Sequence, residues 1–152
     1  MDASGGDIFG KMKRGGFLIG IWTVVGAVVL ALGWIRLAPS DVGRWHVAQE
    51  ISADYDLNGG VVRRLEGLGA DGLGRLDAVI RAEPRTEVLA GSVAEGMITY
   101  VTRSMVMGFP DYTTVQQGGD DLTIRARLRF GRSDFGVNRR RVGRWIVALG
   151  AE

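Results

Sequence analysis

The stretch GRSDFGVNRRRVGRW, residues 131–145, sets five arginines beside Ser133, Asp134 and Asn138. Guanidinium groups next to a carboxylate and an amide can grip a phosphate or carboxylate through paired hydrogen bonds. They can equally lock one another into a structural knot. Just upstream, Leu122, Ile124, Ala126, Leu128 and Phe130 alternate with Thr123, Arg125, Arg127 and Arg129, the period-two pattern of a strand with one buried and one wet face. On a regular strand the three arginines would project from one face at intervals of about 6.8 Å. Such a comb could hold an anionic lipid headgroup or a small anion. It could also pair with the acids of residues 40–124, where thirteen acids face seven arginines, while residues 125–144 hold eight arginines and only Asp134. The candidate ligand-binding residues are therefore Arg125, Arg127, Arg129, Asp134, Asn138 and Arg141.

A purely structural reading of the same residues stands beside the binding one. Ser133 or Asp134 is placed to cap the final helix by accepting bonds from its free N–H groups. Asn138 is placed to be a buried amide bonded to sheet backbone. Other chemistries have little to work with. The chain has no cysteine and a single histidine, His46, which cannot make the usual zinc constellations. No G-x-S-x-G elbow or P-loop occurs, and the glycines at 67, 69, 72 and 74 lack a lysine and a convincing preceding strand. Asp120 and Asp121 are paired carboxylates in a turn, where solvation is the ordinary state. Phe109 and Tyr112 are too few aromatics for a base-stacking surface, so nucleic acid is not expected as a partner. The expectation is a protein without catalytic residues, metal or cofactor.

The elements that must position these residues follow from periodicity. FLIGIWTVVGAVVLALGWI, residues 17–35, is uncharged, and at 1.5 Å per residue it covers about 28 Å, close to the hydrocarbon core of a bilayer. Its apolar residues fall on all sides, and Trp22 and Trp34 lie near its ends, where indoles favour the headgroup zone. A transmembrane helix over 17–36 is the working expectation, with a cleaved signal peptide as its competitor. Residues 1–16 would then form a cytoplasmic tail, 37–44 a linker and 45–152 an extracytoplasmic domain. Lys11, Lys13 and Arg14 before the span against Arg36 and Arg44 after it lean towards that orientation.

Within the domain, WHV at 45–47 and GGVVRRL at 59–65 read as short strands, and GLGRLDAVIRA at 72–82 as a helix with Asp71 as N-cap and Pro84 as its stop. TEVLAG at 86–91 and GMITYVTRSMVM at 96–107 read as strands, with a bend at Gly108–Pro110 and a further strand from Tyr112. GGDD at 118–121 supplies hairpin chemistry before the arginine strand. The last helix, 134–149, carries Val142, Trp145, Ile146 and Leu149 at helical spacing. This order predicts an α+β domain: a small antiparallel sheet of three to five strands with two helices packed on one face.

Three segments, PRTEVLAGS at 84–92, TYVTRSMVMGFPDYTTV at 99–115 and RLRFGRSDFGVNRRRV at 127–142, resemble the bacterial and plastid family called domain of unknown function 1499. The shared pattern is a Pro-Arg before a strand, a Phe-x-Asp turn and a Gly-x-Ser-Asp-x-Gly-x-Asn-x-x-Arg string. Phe109 and Asp111 match the turn; Gly131, Ser133, Asp134, Gly136, Asn138 and Arg141 match the string. The resemblance covers residues 76–145 and weakens over 45–70. It implies a small membrane-tethered or exported domain and carries over no catalytic residue.

Together these readings predict a bacterial single-pass protein of the inner membrane with a periplasmic C-terminal domain. It would act by contact, as an accessory, scaffolding or assembly factor, with a membrane protein complex or an anionic lipid as partner. The alternative is a binding module for an anionic headgroup or small anion on the arginine-lined sheet face.

Overall fold

The computed structural model describes residues 6–150, and the chain divides after Ala38 into two units. The first is the helix α1, Gly6–Leu37. Its Gly16–Leu37 stretch has a mean hydropathy of 2.3 and is buried nowhere within the protein. At 1.5 Å per residue, 22 residues reach about 33 Å, enough to cross a bilayer. Length and composition of this kind are shared by membrane anchors and signal sequences.

The second unit is an α+β domain. Its elements are α2 (Val42–Trp45), β1 (Tyr55–Leu57), β2 (Gly60–Leu65), α3 (Gly72–Arg81), β3 (Thr86–Ser92), β4 (Met97–Arg103), β5 (Pro110–Gly118), β6 (Asp121–Leu128) and α4 (Val137–Leu149). The strands form one antiparallel sheet in the order β1-β2-β6-β5-β4-β3. The sheet thus has six strands rather than three to five. The unforeseen strand is β1, a three-residue edge exposed along its length, which shows no hydrophobic alternation because neither face is covered. WHV at 45–47 supplies no strand, since Trp45 closes α2 instead.

Register explains the two-faced sheet. Alternate residues of the central strands, Ile98 and Tyr100 of β4, Val115 of β5, and Leu122, Ile124 and Ala126 of β6, point to one side. There they are fully buried against Leu73, Leu76 and Ile80 of α3 and Val142 and Trp145 of α4. Each such apolar side chain contributes about 1.5–3 kcal/mol of burial. Both long helices of the domain therefore lie on one face. α3 starts differently from expectation: Asp71 makes no cap bond and pairs with Arg75, while Gln117 Oε1 of β5 accepts the Leu73 N–H at 2.9 Å.

The opposite face is covered by α2 and the chain that follows it. Trp45 stacks on Tyr112 with ring centroids 3.9 Å apart, and Val101 and Leu89 complete this smaller core. His46 Nδ1 lies 3.0 Å from Thr99 Oγ1. Gly91, on a bulged stretch of β3 with φ +85°, leaves no room for a Cβ, which would strike the Met97 carbonyl and the His46 ring.

Candidate functional site

The family-like segments converge on one end of the sheet. β4 ends at Arg103, short of the expected 107, and Ser104–Phe109 forms a loop that turns the chain into β5. Asp111 sits at the start of β5 opposite Leu128, and the 129–136 loop leads from β6 into α4. α4 begins at Val137 rather than 134 because Gly136 takes a left-handed conformation, φ +75°. Asp134 lies just outside the helix and reaches into it. Its two carboxylate oxygens accept the N–H groups of Gly136 and Asn138, each at 2.9 Å. Ser133 Oγ accepts the Phe135 N–H at 3.2 Å, so both residues serve the helix start. Gly131, with φ +102°, makes the turn ahead of them.

From the first two turns of α4, Asn138 and Arg141 project inward. Arg141 Nη1 donates to Asn138 Oδ1 at 2.9 Å and to Asp111 Oδ2 at 3.3 Å. The Asn138 amide therefore binds a guanidinium, not the sheet backbone. Asn138 is wholly buried, and the side chains of Arg141 and Asp111 are 7% and 13% exposed. Burial raises the Asp111 pKa above the ordinary 3.8, the Arg141 charge opposes that rise, and the nearby Asp134 charge adds to it. The Asn138 side chain also favours ionised Asp111, although its Nδ2 has no hydrogen bond of good geometry. With its charges turned on one another, this cluster is the floor of the site rather than an open ligand contact.

Above that floor lies an apolar groove of about 460 Å³ between the two loops, lined by Met105, Phe109, Leu128, Phe130, Phe135 and Val137, with Asp111 and Asp134 at its polar edge. Phe109 and Phe130 meet at 6.2 Å with rings tilted by 56°. Met105 and Phe135 stand 75% and 86% exposed. A contiguous apolar surface of this kind on a small domain marks a place of contact. The sequence alone does not mark it: SMVM reads as the end of a long strand, and Phe135 fills the variable position inside the Asp-x-Gly string.

The arginine comb is not part of this site. Arg125 and Arg127 lie on the α2 side of the sheet, and Arg129 follows them just beyond the end of β6. Arg127 Nη2 donates to the Trp45 carbonyl at 2.7 Å and its guanidinium lies 4.8 Å from the Trp45 ring centre. Arg129 Nη1 donates to Tyr112 Oη at 3.0 Å. Burial first, then the charges of Arg125 and Arg44, hold the Arg127 guanidinium below its ordinary range. Neither Arg125 nor Arg127 forms an ion pair with a described carboxylate. Their row is covered by the segment after α2, and the cleft left beside Arg125 and Arg127 is about 10 Å³, the room of a single water. Asp121 is not merely solvated: the Gly67 N–H at 3.0 Å, and then Arg64 at 2.8 Å, hold its pKa below the usual value. Among the described residues no three of His, Cys, Asp and Glu gather as a metal site would require.

Residues 62–149, more than half of the chain, match the family described as Protein of unknown function (DUF1499). The chain belongs to the DUF1499 family. No curated protein matches it. The DUF1499 match runs from within β2 to the end of α4, so it takes in the whole floor of the candidate site and both loops that wall the groove. It excludes α1, α2 and β1.

Proposed function

We propose that this DUF1499 protein is a single-pass protein of the inner membrane whose domain works by contact and not by catalysis. Its working surface is the apolar groove, which receives the apolar part of an amphipathic ligand. One observation carries the reading: Met105 and Phe135 stand exposed at the rim of a groove built from the two loops that hold the family-like motif. An uncovered apolar surface is kept where something else covers it. The polar residues beneath it support a contact role, since Arg141 engages Asp111 and backbone N–H groups occupy both oxygens of Asp134. α1 supports the membrane assignment, and three basic residues before the uncharged run 17–35 against two after it support a periplasmic domain.

The absence of cysteine allows a direct test. Full-length protein carrying Met105→Cys is labelled with an environment-sensitive fluorophore in phosphatidylcholine nanodiscs. Its emission should be blue-shifted relative to the same label at Val147→Cys, an exposed position on α4, and Phe135→Asp should remove the shift. Identical emission from the two labels would end the contact reading.

A further inference from the structure

A second cleft of about 310 Å³ adjoins the groove and shares Ser104, Met105 and Val137 with it. Five arginines, Arg85, Arg103, Arg140, Arg141 and Arg144, line it against the one acid Glu83. Two of the five are answered: Arg144 reaches Glu83 at 2.9 Å and Arg141 reaches Asp111. Arg85, Arg103 and Arg140 form no ion pair with a described carboxylate. Each is instead steadied by a backbone carbonyl. Arg85 Nε donates to the Arg103 carbonyl at 3.1 Å, Arg103 Nη1 to that of Gly108 at 3.3 Å, and Arg140 Nη1 to that of Phe135 at 3.0 Å. A guanidinium held by one N–H in this way keeps its others for a ligand and loses little freedom on binding it.

The backbone singles out the same place. Among the described residues, the non-glycine positions with positive φ are Arg85 at +59° and Phe135 at +51°. Both hold a backbone conformation that side-chain-bearing residues rarely adopt, a strain that collects at ligand clamps. One lines the arginine cleft and the other the groove.

We infer that the two clefts form one site for a phosphate-bearing acyl lipid, with the phosphate held by Arg85, Arg103 and Arg140 and the acyl chain lying in the groove past Met105 and Phe135. The inference rests on the contact reading of the groove and adds the chemistry of what enters it. Planar guanidinium groups match phosphate oxygens in pairs, and the continuity of a cationic cleft with an apolar groove matches the two ends of one amphipathic anion. A soluble anion would leave the groove uncovered; a neutral chain would leave three cations unanswered.

The test uses the full-length Met105→Cys fluorophore conjugate held in amphipol free of phospholipid, titrated with dioctanoyl phosphatidic acid, dioctanoyl phosphatidylcholine or inorganic phosphate. The phosphatidic acid should blue-shift the label at a half-saturating concentration at least about tenfold below that of the phosphatidylcholine. Arg103→Gln and Arg140→Gln should each weaken it about tenfold with the thermal midpoint unchanged. Equal responses to the two lipids, unaltered by the arginine variants, would overturn the phosphate assignment and leave the groove reading standing. Silence towards both lipids would remove the two together. The same response to inorganic phosphate alone would show that a free anion, not a lipid, is the ligand.

Discussion

Asp111 and Arg141 show how a charged pair behaves when a fold draws it inward. At 3.3 Å and mostly buried, the pair gains attraction in a low dielectric, yet burial outweighs it at Asp111 and raises that carboxyl's pKa. The folded protein therefore holds this proton to a higher pH than the unfolded chain does. From about pH 3.8 up to the raised folded value, the contribution of Asp111 to stability falls as pH rises; below 3.8 the group is neutral in both states. Carbon-13 NMR of the Asp111 carboxyl should give a midpoint above the ordinary value, and Asp134→Ala should lower it by removing a neighbouring negative charge. A midpoint at or below 3.8 in the wild type would show that Arg141 dominates instead.

At the scale of elements, α4 depends on a residue outside its own boundary. Asp134 satisfies the N–H groups of Gly136 and Asn138 across a left-handed glycine, doing what a side chain at the N-cap position itself would otherwise do. Asp134→Ala should cost about 1 kcal/mol in urea unfolding. Because Asn138 sits on the first turn it secures and Arg141 begins the next, hydrogen exchange should accelerate there before it does in α3. An unchanged midpoint would mean that packing of Val142 and Trp145 alone fixes the helix start. Gln117 plays the matching part for α3 from a neighbouring strand, so both helices are begun by groups that lie outside them.

The domain as a whole is a sheet with two unequal coverings. One face carries α3 and α4 over a broad apolar core; the other carries a short strap whose anchor is Trp45, laid against the cross-strand pair Tyr112 and Arg127. Trp45→Ala should destabilise the domain by about 3–5 kcal/mol, read as a lowered urea midpoint. It should also uncover Arg125 and Arg127, which faster modification of these two side chains by phenylglyoxal would report. A loss below about 1 kcal/mol would show the strap to be a loose cover rather than part of the fold.

Much of this architecture is written in short-range patterns. The apolar run at 17–35, the unbroken alternation of 122–130 and the Leu73, Leu76, Ile80 spacing each state a period, and period is a property of neighbouring residues. From them follow the N-terminal helix, the α+β class and the two helices on one face. The Gly131–Arg141 string likewise identifies the family and the region of interest. What it could not say is which charges meet. Arg125, Arg127 and Arg129 are an open row in sequence, but Trp45 and Tyr112, 82 and 15 residues from Arg127, close over it. Arg85, Arg103 and Arg140 are unremarkable in isolation and are gathered beside Met105 and Phe135 only because the start of β3, the end of β4 and the start of α4 meet at the same end of the sheet. Burial, ion pairing and the choice between a knot and a site depend on contacts between distant segments, and such contacts exist only once the chain has folded.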